Sequence, residues 1–149
     1  MNKPVSLRER ALKWLAQREH SRSELARKLA RYATGEDEVA PLLDELARRK
    51  LLSDDRYAEA RAHVLARKFG VARIEHELIS KGIEAPTIAR VASVARATEF
   101  ERARAAWRKR FGTQPASPTE RAKQIRFLQA RGFSFDVIRR VIRGTDEDA

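Results

Sequence analysis

Cysteine is absent from the 149 residues, which excludes disulfides, thiolate metal sites and thiol chemistry. No apolar run approaches the roughly 18 residues that span a bilayer. The Met1-Asn2-Lys3-Pro4 start has no apolar segment behind it, so the sequence predicts a cytoplasmic protein without leader or membrane anchor. Aromatic residues make up only 7%. Gly-x-Ser-x-Gly, P-loop and Gly-x-Gly-x-x-Gly motifs are all missing, so an enzyme or a cofactor site has no constellation to stand on. His20, His63 and His76 are scattered, without His-x-x-x-His or a carboxylate at ligand spacing, which argues against a metal site. Acidic residues are scarce in one stretch. Residues 102–143 hold 12 Lys/Arg against 2 Asp/Glu, whereas residues 1–55 hold 12 against 10 and residues 56–101 hold 8 against 6. Most of the net charge of +11 therefore sits in the last third, just before the acidic Asp146-Glu147-Asp148.

What the chain does contain is a repeat. Leu78-x-x-Lys81-Gly82-Ile83, followed by Ile88 and Val91, returns 50 residues later as Leu128-x-x-Arg131-Gly132-Phe133, followed by Ile138 and Val141. Six positions keep one register. A period of this length in a chain that is 36% charged points to stacked helical modules, which present surfaces rather than perform chemistry. One module of about 50 residues is marginal alone, so neighbours should share apolar surface. Hydrophobic residues at 42% suffice for a core, and the wealth of Ala, Leu, Arg and Glu favours helix.

The periodicity predicts an all-α chain of about nine helices, arranged as three tandem three-helix modules in an elongated, curved stack with no sheet. The modules span residues 1–53, 54–98 and 99–144, with an acidic tail at 145–149. A first helix near Leu7–Gln17 should turn Leu12 and Leu15 inward. Ser21-x-x-Glu24 and Ser117-Pro118-x-Glu120 are capping boxes, in which the serine accepts from the Glu amide and the Glu reaches back. Leu25 and Leu29 line the second helix. After a turn at Thr34-Gly35-Glu36-Asp37, Leu43, Leu46 and Ala47 line the third. Ser53 opens the fourth helix, with Ala58, Ala62, Leu65 and Phe69 inward and Gly70 stopping it. Ile74, Leu78, Ile88, Val91 and Ala95 continue the second module. The third follows with Phe100, Ala103, Trp107, Phe111, Ile125, Leu128, Ile138 and Val141, the last helix being capped by Ser134. Gly82 and Gly132 fall at the C′ position, where φ is commonly positive.

The run from Asp55-Arg56-Tyr57-Ala58 through Phe69-Gly70 to Arg73-Ile74-x-x-Glu77-Leu78-x-x-Lys81-Gly82-Ile83 resembles the central signature of the RecX family, bacterial regulators of the recombinase RecA. Leu12 to Asp55 is similar to the family's first module and Arg121 to Val141 to its last; Glu99-Phe100-Glu101-Arg102 keeps only the aromatic. The resemblance implies an elongated stack of three three-helix modules that binds RecA filaments on single-stranded DNA and limits their growth, ATPase and strand exchange. It thereby implies a role in DNA repair, homologous recombination and the SOS response. The chain is expected to be a monomer without a cofactor.

Eight cations form the candidate filament- and DNA-binding surface: Arg108, Lys109, Arg110, Arg121, Arg126, Arg139, Arg140 and Arg143. Phosphate neutralisation needs exposed long cations, and Arg139 and Arg143 share a face at i,i+4. The plainer reading is a solvated face with compensation of helix C-termini, which accounts for Arg131 and for Arg143. The scarcity of acids tips the balance to function. Tyr57, Phe69, Trp107 and Phe111 invite base stacking, but they lie on inward stripes and are assigned to the core; Trp14 sits beside such a stripe. Two rival readings remain: a helix-turn-helix transcription regulator opening at Ser23-Glu24-Leu25-Ala26, and a helical RNA-binding scaffold. The first needs a two-stranded wing where Asp54–Phe69 reads as a charged helix.

Overall fold

A computed structural model describes residues 5–34 and 38–143. Among them are nine helices and no strand: α1 (Leu7–Gln17), α2 (Arg22–Ala30), α3 (Val39–Arg48), α4 (Asp54–Leu65), α5 (Val71–Ser80), α6 (Ala85–Arg96), α7 (Glu99–Arg110), α8 (Pro118–Ala130) and α9 (Phe135–Arg143). The acidic tail and Gly35-Glu36-Asp37 lie outside the described residues. A helix, α4, occupies the stretch where a wing would have to begin. Ala97 and Thr98 separate α6 from α7.

Serines start five of the helices. Ser6, Ser21, Ser53, Ser117 and Ser134 accept from the amides of Glu9, Glu24, Arg56, Glu120 and Val137, satisfying donors that a helix N-terminus leaves orphaned. The return arms of both capping boxes depart from expectation. The Glu24 carboxylate is taken by Arg18 at 2.8 Å, and Glu120 reaches past its cap to accept from the Ala116 amide at 2.8 Å. Gly82 and Gly132 do take positive φ, 74° and 86°.

Each trio of helices encloses its own apolar cluster. Ala11, Leu25, Leu29, Leu42, Leu43, Leu46 and Leu52 form the first. The second is built around Ala58, Ile74, Leu78 and Val91, and the third around Ala103, Trp107, Leu128, Ile138 and Val141. Two expectations fail in the first module. Leu12 is 37% exposed, whereas Leu15 does pack against the first core. The stripe of α1 runs Leu7-Ala11-Trp14-Leu15, at i, i+4, i+7 and i+8, centred on an alanine that hydrophobicity alone does not flag. Ala47 is exposed as well, because the stripe Val39-Leu42-Leu43-Leu46 leaves it a further 100° round the helix. Phe100 and Phe111, at the two ends of α7, are half-buried.

Neighbouring modules meet at glycines. A Cβ on Gly82 would lie 2.8 Å from the Ser23 Cβ at the start of α2, and one on Gly132 would lie 2.6 Å from the Arg73 Cβ at the start of α5. The same contact, turn glycine on the preceding module's second helix, is thus made twice. The second joint is closer. The Gly70 amide donates to the Arg131 carbonyl at 2.8 Å, and a Cβ on Gly70 would sit 2.4 Å from the Gly132 carbonyl oxygen. From α7, Arg102 donates to the carbonyls of Ala66 (3.0 Å), Phe69 (2.6 Å) and Ala95 (2.8 Å), filling acceptors left open where α4 and α6 end. Burial lowers the pKa of that guanidinium. Side chains make the first joint: Asp54 accepts from the Arg22 amide at 2.7 Å and Arg56 pairs with Glu19 at 2.9 Å.

A row of small cores leaves much surface outside. The accessible area is 9976 Å², against roughly 7,700 Å² for a compact globule of this mass. Small-angle scattering should accordingly give a radius of gyration clearly above the ~15 Å of a compact chain of this length. Leu78 and Leu128 are both fully buried, so Leu78→Ala and Leu128→Ala should each cost about 2–5 kcal/mol in a urea melt. Wild-type midpoints for both would refute the repeat register.

Candidate nucleic-acid interface

All eight candidate cations are exposed and all belong to α7, α8 and α9. On α9, Ile138, Val141 and Ile142 are buried, and at about 100° per residue Arg139, Arg140 and Arg143 fall together on the opposite arc. This helix does gather its three. The other five are spread. Arg108, Lys109 and Arg110 are consecutive and therefore fan around the end of α7, with Arg110 turned toward α8, 5.8 Å from the Phe127 ring. Arg121 and Arg126 stand about 140° apart on α8. Arg139 pairs with Asp136 at 2.6 Å, and Arg140 lies over the Phe100 ring at 4.2 Å. Arg108, Lys109, Arg110, Arg121 and Arg126 have no carboxylate partner among the described residues.

The motif of the second module is mostly structural. Tyr57, Ala58, Ile74, Leu78 and Ile83 are buried. Phe69 is half-buried under Arg73, whose guanidinium stands 4.5 Å from the ring. Asp55 accepts from the Thr87 hydroxyl at 2.8 Å, tying the start of α4 to α6. Gly70 and Gly82 are the close-approach points of the two joints. Glu77 and Lys81 line a cleft of about 410 Å³ between the first two modules, with Arg18, Glu24, Tyr57 and Arg61. Its charges neutralise one another: Arg61–Glu77 at 2.7 Å, Arg18–Glu24 at 2.8 Å and Lys81–Glu24 at 3.9 Å. Burial works to raise the Glu24 pKa, but the hydrogen bond and charge of Arg18 outweigh it and hold the group low. One repeat further on, the Arg61–Glu77 pair becomes Phe111–Phe127, an edge-on aromatic contact at 5.4 Å, and Arg131 stands over Phe127 at 4.7 Å.

The buried aromatics behave as core. Trp107 donates its indole N–H to Gln124 Oε1 at 2.8 Å, and Gln124 gives its own N–H to the Thr113 carbonyl at 3.1 Å. Gln124 and the buried Glu99, which accepts from the Ser134 amide at 3.0 Å, escape a reading based on apolar residues. The signal for Gln124 was its place four residues before Leu128, on the inward stripe.

Comparison with known proteins accords with this architecture. Family models for the first, second and third three-helix domains of RecX match residues 8–46, 53–91 and 97–142. A regulatory protein RecX of Leptothrix cholodnii is 51% identical over 148 residues, covering 99% of this chain and 94% of its own. One from Ralstonia nicotianae is 47% identical over 143 residues, covering 96% and 90%. The crystal structure of RecX from Lactobacillus salivarius superposes with a TM-score of 0.82 at 22% identity, over 95% of each chain.

His20 is a further buried polar group that spacing alone did not expose. Lys28 Nζ stands 2.8 Å from its Nε2; an ammonium only donates, so Nε2 accepts and Nδ1 carries the proton toward the Arg18 carbonyl, 3.0 Å away. Burial lowers the His20 pKa, and the charges of Arg18 and Lys28 add to that. Between the lowered folded value and the unfolded value of about 6.5, the unfolded chain binds more protons, so stability rises with pH across that window. Urea midpoints should therefore fall as pH drops below about 6.5, and His20→Gln should flatten that slope. An unchanged slope would show that His20 is not its source.

Proposed function

The chain belongs to the RecX family, and on that premise we propose that it is a non-enzymatic regulator that binds RecA filaments on single-stranded DNA and restrains their growth, ATPase and strand exchange. It acts as a cytoplasmic monomer in DNA repair and recombination. The observation that carries this reading is the clustering of Arg139, Arg140 and Arg143 on the outer arc of α9, inside a stretch with 12 cations and 2 acids. Such a surface suits a polyanion whose phosphates are regularly spaced. The three modules, 1–53, 54–98 and 99–144, then touch successive parts of one filament, and linkage lets individually weak contacts add up. Gly-rich phosphate loops and nucleophile motifs play no part, because occupancy of the filament is itself the mechanism.

Converting Arg139, Arg140 and Arg143 to Glu should weaken binding to the filament and to single-stranded DNA. It should also flatten the plot of log K against log salt by about two, because each phosphate that an arginine no longer neutralises keeps its ~0.7 counterion. The same charge change at Arg48, Arg49 and Lys50, at the end of α3, should do much less. Helical content should not move, and melting should shift by no more than the exposed Arg139–Asp136 pair and the Arg140–Phe100 contact account for, about 1–2 kcal/mol together. A triple variant that restrains RecA ATPase as strongly as wild type at every salt concentration would overturn the assignment of α9.

A further inference from the structure

The first module looks nearly neutral only when its charges are summed. Residues 7–32, which hold α1 and α2, carry 8 Lys/Arg against 3 Asp/Glu, while residues 33–55 carry 3 against 7. Three of the eight cations are neutralised in place: Arg8 by Glu45, Arg18 by Glu24 and Arg22 by Asp44. Arg10, Lys13, Arg27, Lys28 and Arg31 have no carboxylate partner among the described residues. Two of these five are ordered on aromatic rings. The Arg10 guanidinium carbon stands 3.7 Å from the centre of the Tyr32 ring, and Lys28 Nζ stands 4.6 Å from that of Trp14. The rings themselves are 6.3 Å apart and tilted by 48°. Cation, ring, ring and cation thus follow one another across α1 and α2. Among the described residues the buried Arg10 Nε has no hydrogen-bond partner, and the guanidinium lies against the ring. Tyr32 lies just past α2 and is 49% exposed.

The three-helix scaffold does not require this array. Tyr32 stands three residues after the buried Leu29, and three residues after the equivalent Leu78 and Leu128 stand Lys81 and Arg131. Lys28, just before Leu29, corresponds to Glu77 and Phe127. The second module has the charged residues Glu77 and Lys81 at the same places, and the third has Phe127 with Arg131 over its ring at 4.7 Å, so neither repeats the exposed tyrosine. We propose that the α1–α2 face of the first module is a second nucleic-acid contact, with a single-stranded base packing on the part of the Tyr32 ring that Arg10 leaves exposed and phosphates meeting Arg27 and Arg31. An acidic protein face would use the cations but has no need of an exposed ring, whereas a single strand uses both, its bases on aromatic faces and its phosphates on cations. This surface is separate from α9, and it makes the protein a molecule with anion contacts on its first and third modules and a self-neutralised cleft between the first two.

The full chain, wild type and variant, should be titrated into a fluorescein-labelled 20-mer of thymidine and into an abasic strand with the same number of phosphates. Tyr32→Leu should weaken binding to the thymidine strand about fivefold or more, the low end of what one stacked base contributes, and leave the abasic strand unaffected. Tyr32→Trp should restore it, and Arg27→Gln with Arg31→Gln should weaken both strands. Tyr32→Leu should keep wild-type helical content, losing in stability at most the small contribution of the Arg10 contact, and Tyr32→Trp should melt like wild type. The proposal fails if Tyr32→Leu binds thymidine as wild type does, or loses both strands equally. It also fails if only binding to the RecA filament suffers, since the face then serves a protein. Wild-type protein that binds neither strand would defeat single-strand binding altogether. A loss confined to the α9 triple variant would leave that reading standing and sink this one alone.

Discussion

Backbone meeting backbone at the second joint is the constraint on which the rest of the stack depends. Each three-helix unit has a core of a dozen or fewer buried side chains, too few to define a rigid body in isolation. What aligns the second and third is the absence of side chains at Gly70 and Gly132, which brings the Gly70 amide onto the Arg131 carbonyl. Arg102 completes the joint by binding three carbonyls that helix geometry leaves open. The presentation of α9, and with it the arginine arc, follows from how α7 is fastened to the ends of α4 and α6.

The division of labour between charges follows from position in that stack. Carboxylates and guanidinia that line the cleft between the first two modules satisfy one another, and the most recognisable residues of the chain, from Asp55 to Ile83, are spent on core and joints. Among the described residues, Arg108, Lys109 and Arg110 on α7, Arg121 and Arg126 on α8, and Arg10, Lys13, Arg27, Lys28 and Arg31 on or just past α1 and α2 have no carboxylate partner.

Much of this was legible in the sequence because helix periodicity, serine caps and positive-φ glycines act locally. The register of Leu78 against Leu128 located two cores, and the i,i+4 spacing of Arg139 and Arg143 located the arc on α9. What escaped was non-local or hidden in a sum. Arg102 looks like any other cation of a basic helix, since its acceptors are carbonyls contributed by residues up to 36 positions earlier. Ala11 took the place assigned to Leu12 because close helix packing rewards a small residue that hydrophobicity overlooks. Three consecutive cations, Arg108 to Arg110, read as a cluster in one dimension and fan apart on a helix. The near-zero charge of the first module concealed two halves of opposite sign.

The two joints share a glycine contact but differ in what surrounds it, and this gives them unequal sensitivity to salt. The first adds to Gly82 on Ser23 mainly ionic contacts between partly exposed groups, Arg56 with Glu19 and Lys81 with Glu24, each worth at most about 1 kcal/mol and weakened by salt. The second adds to Gly132 on Arg73 a backbone hydrogen bond from Gly70, which screening leaves intact. Rising ionic strength therefore acts on the joint between the first and second modules before it acts on the one that positions the arginine arc of α9.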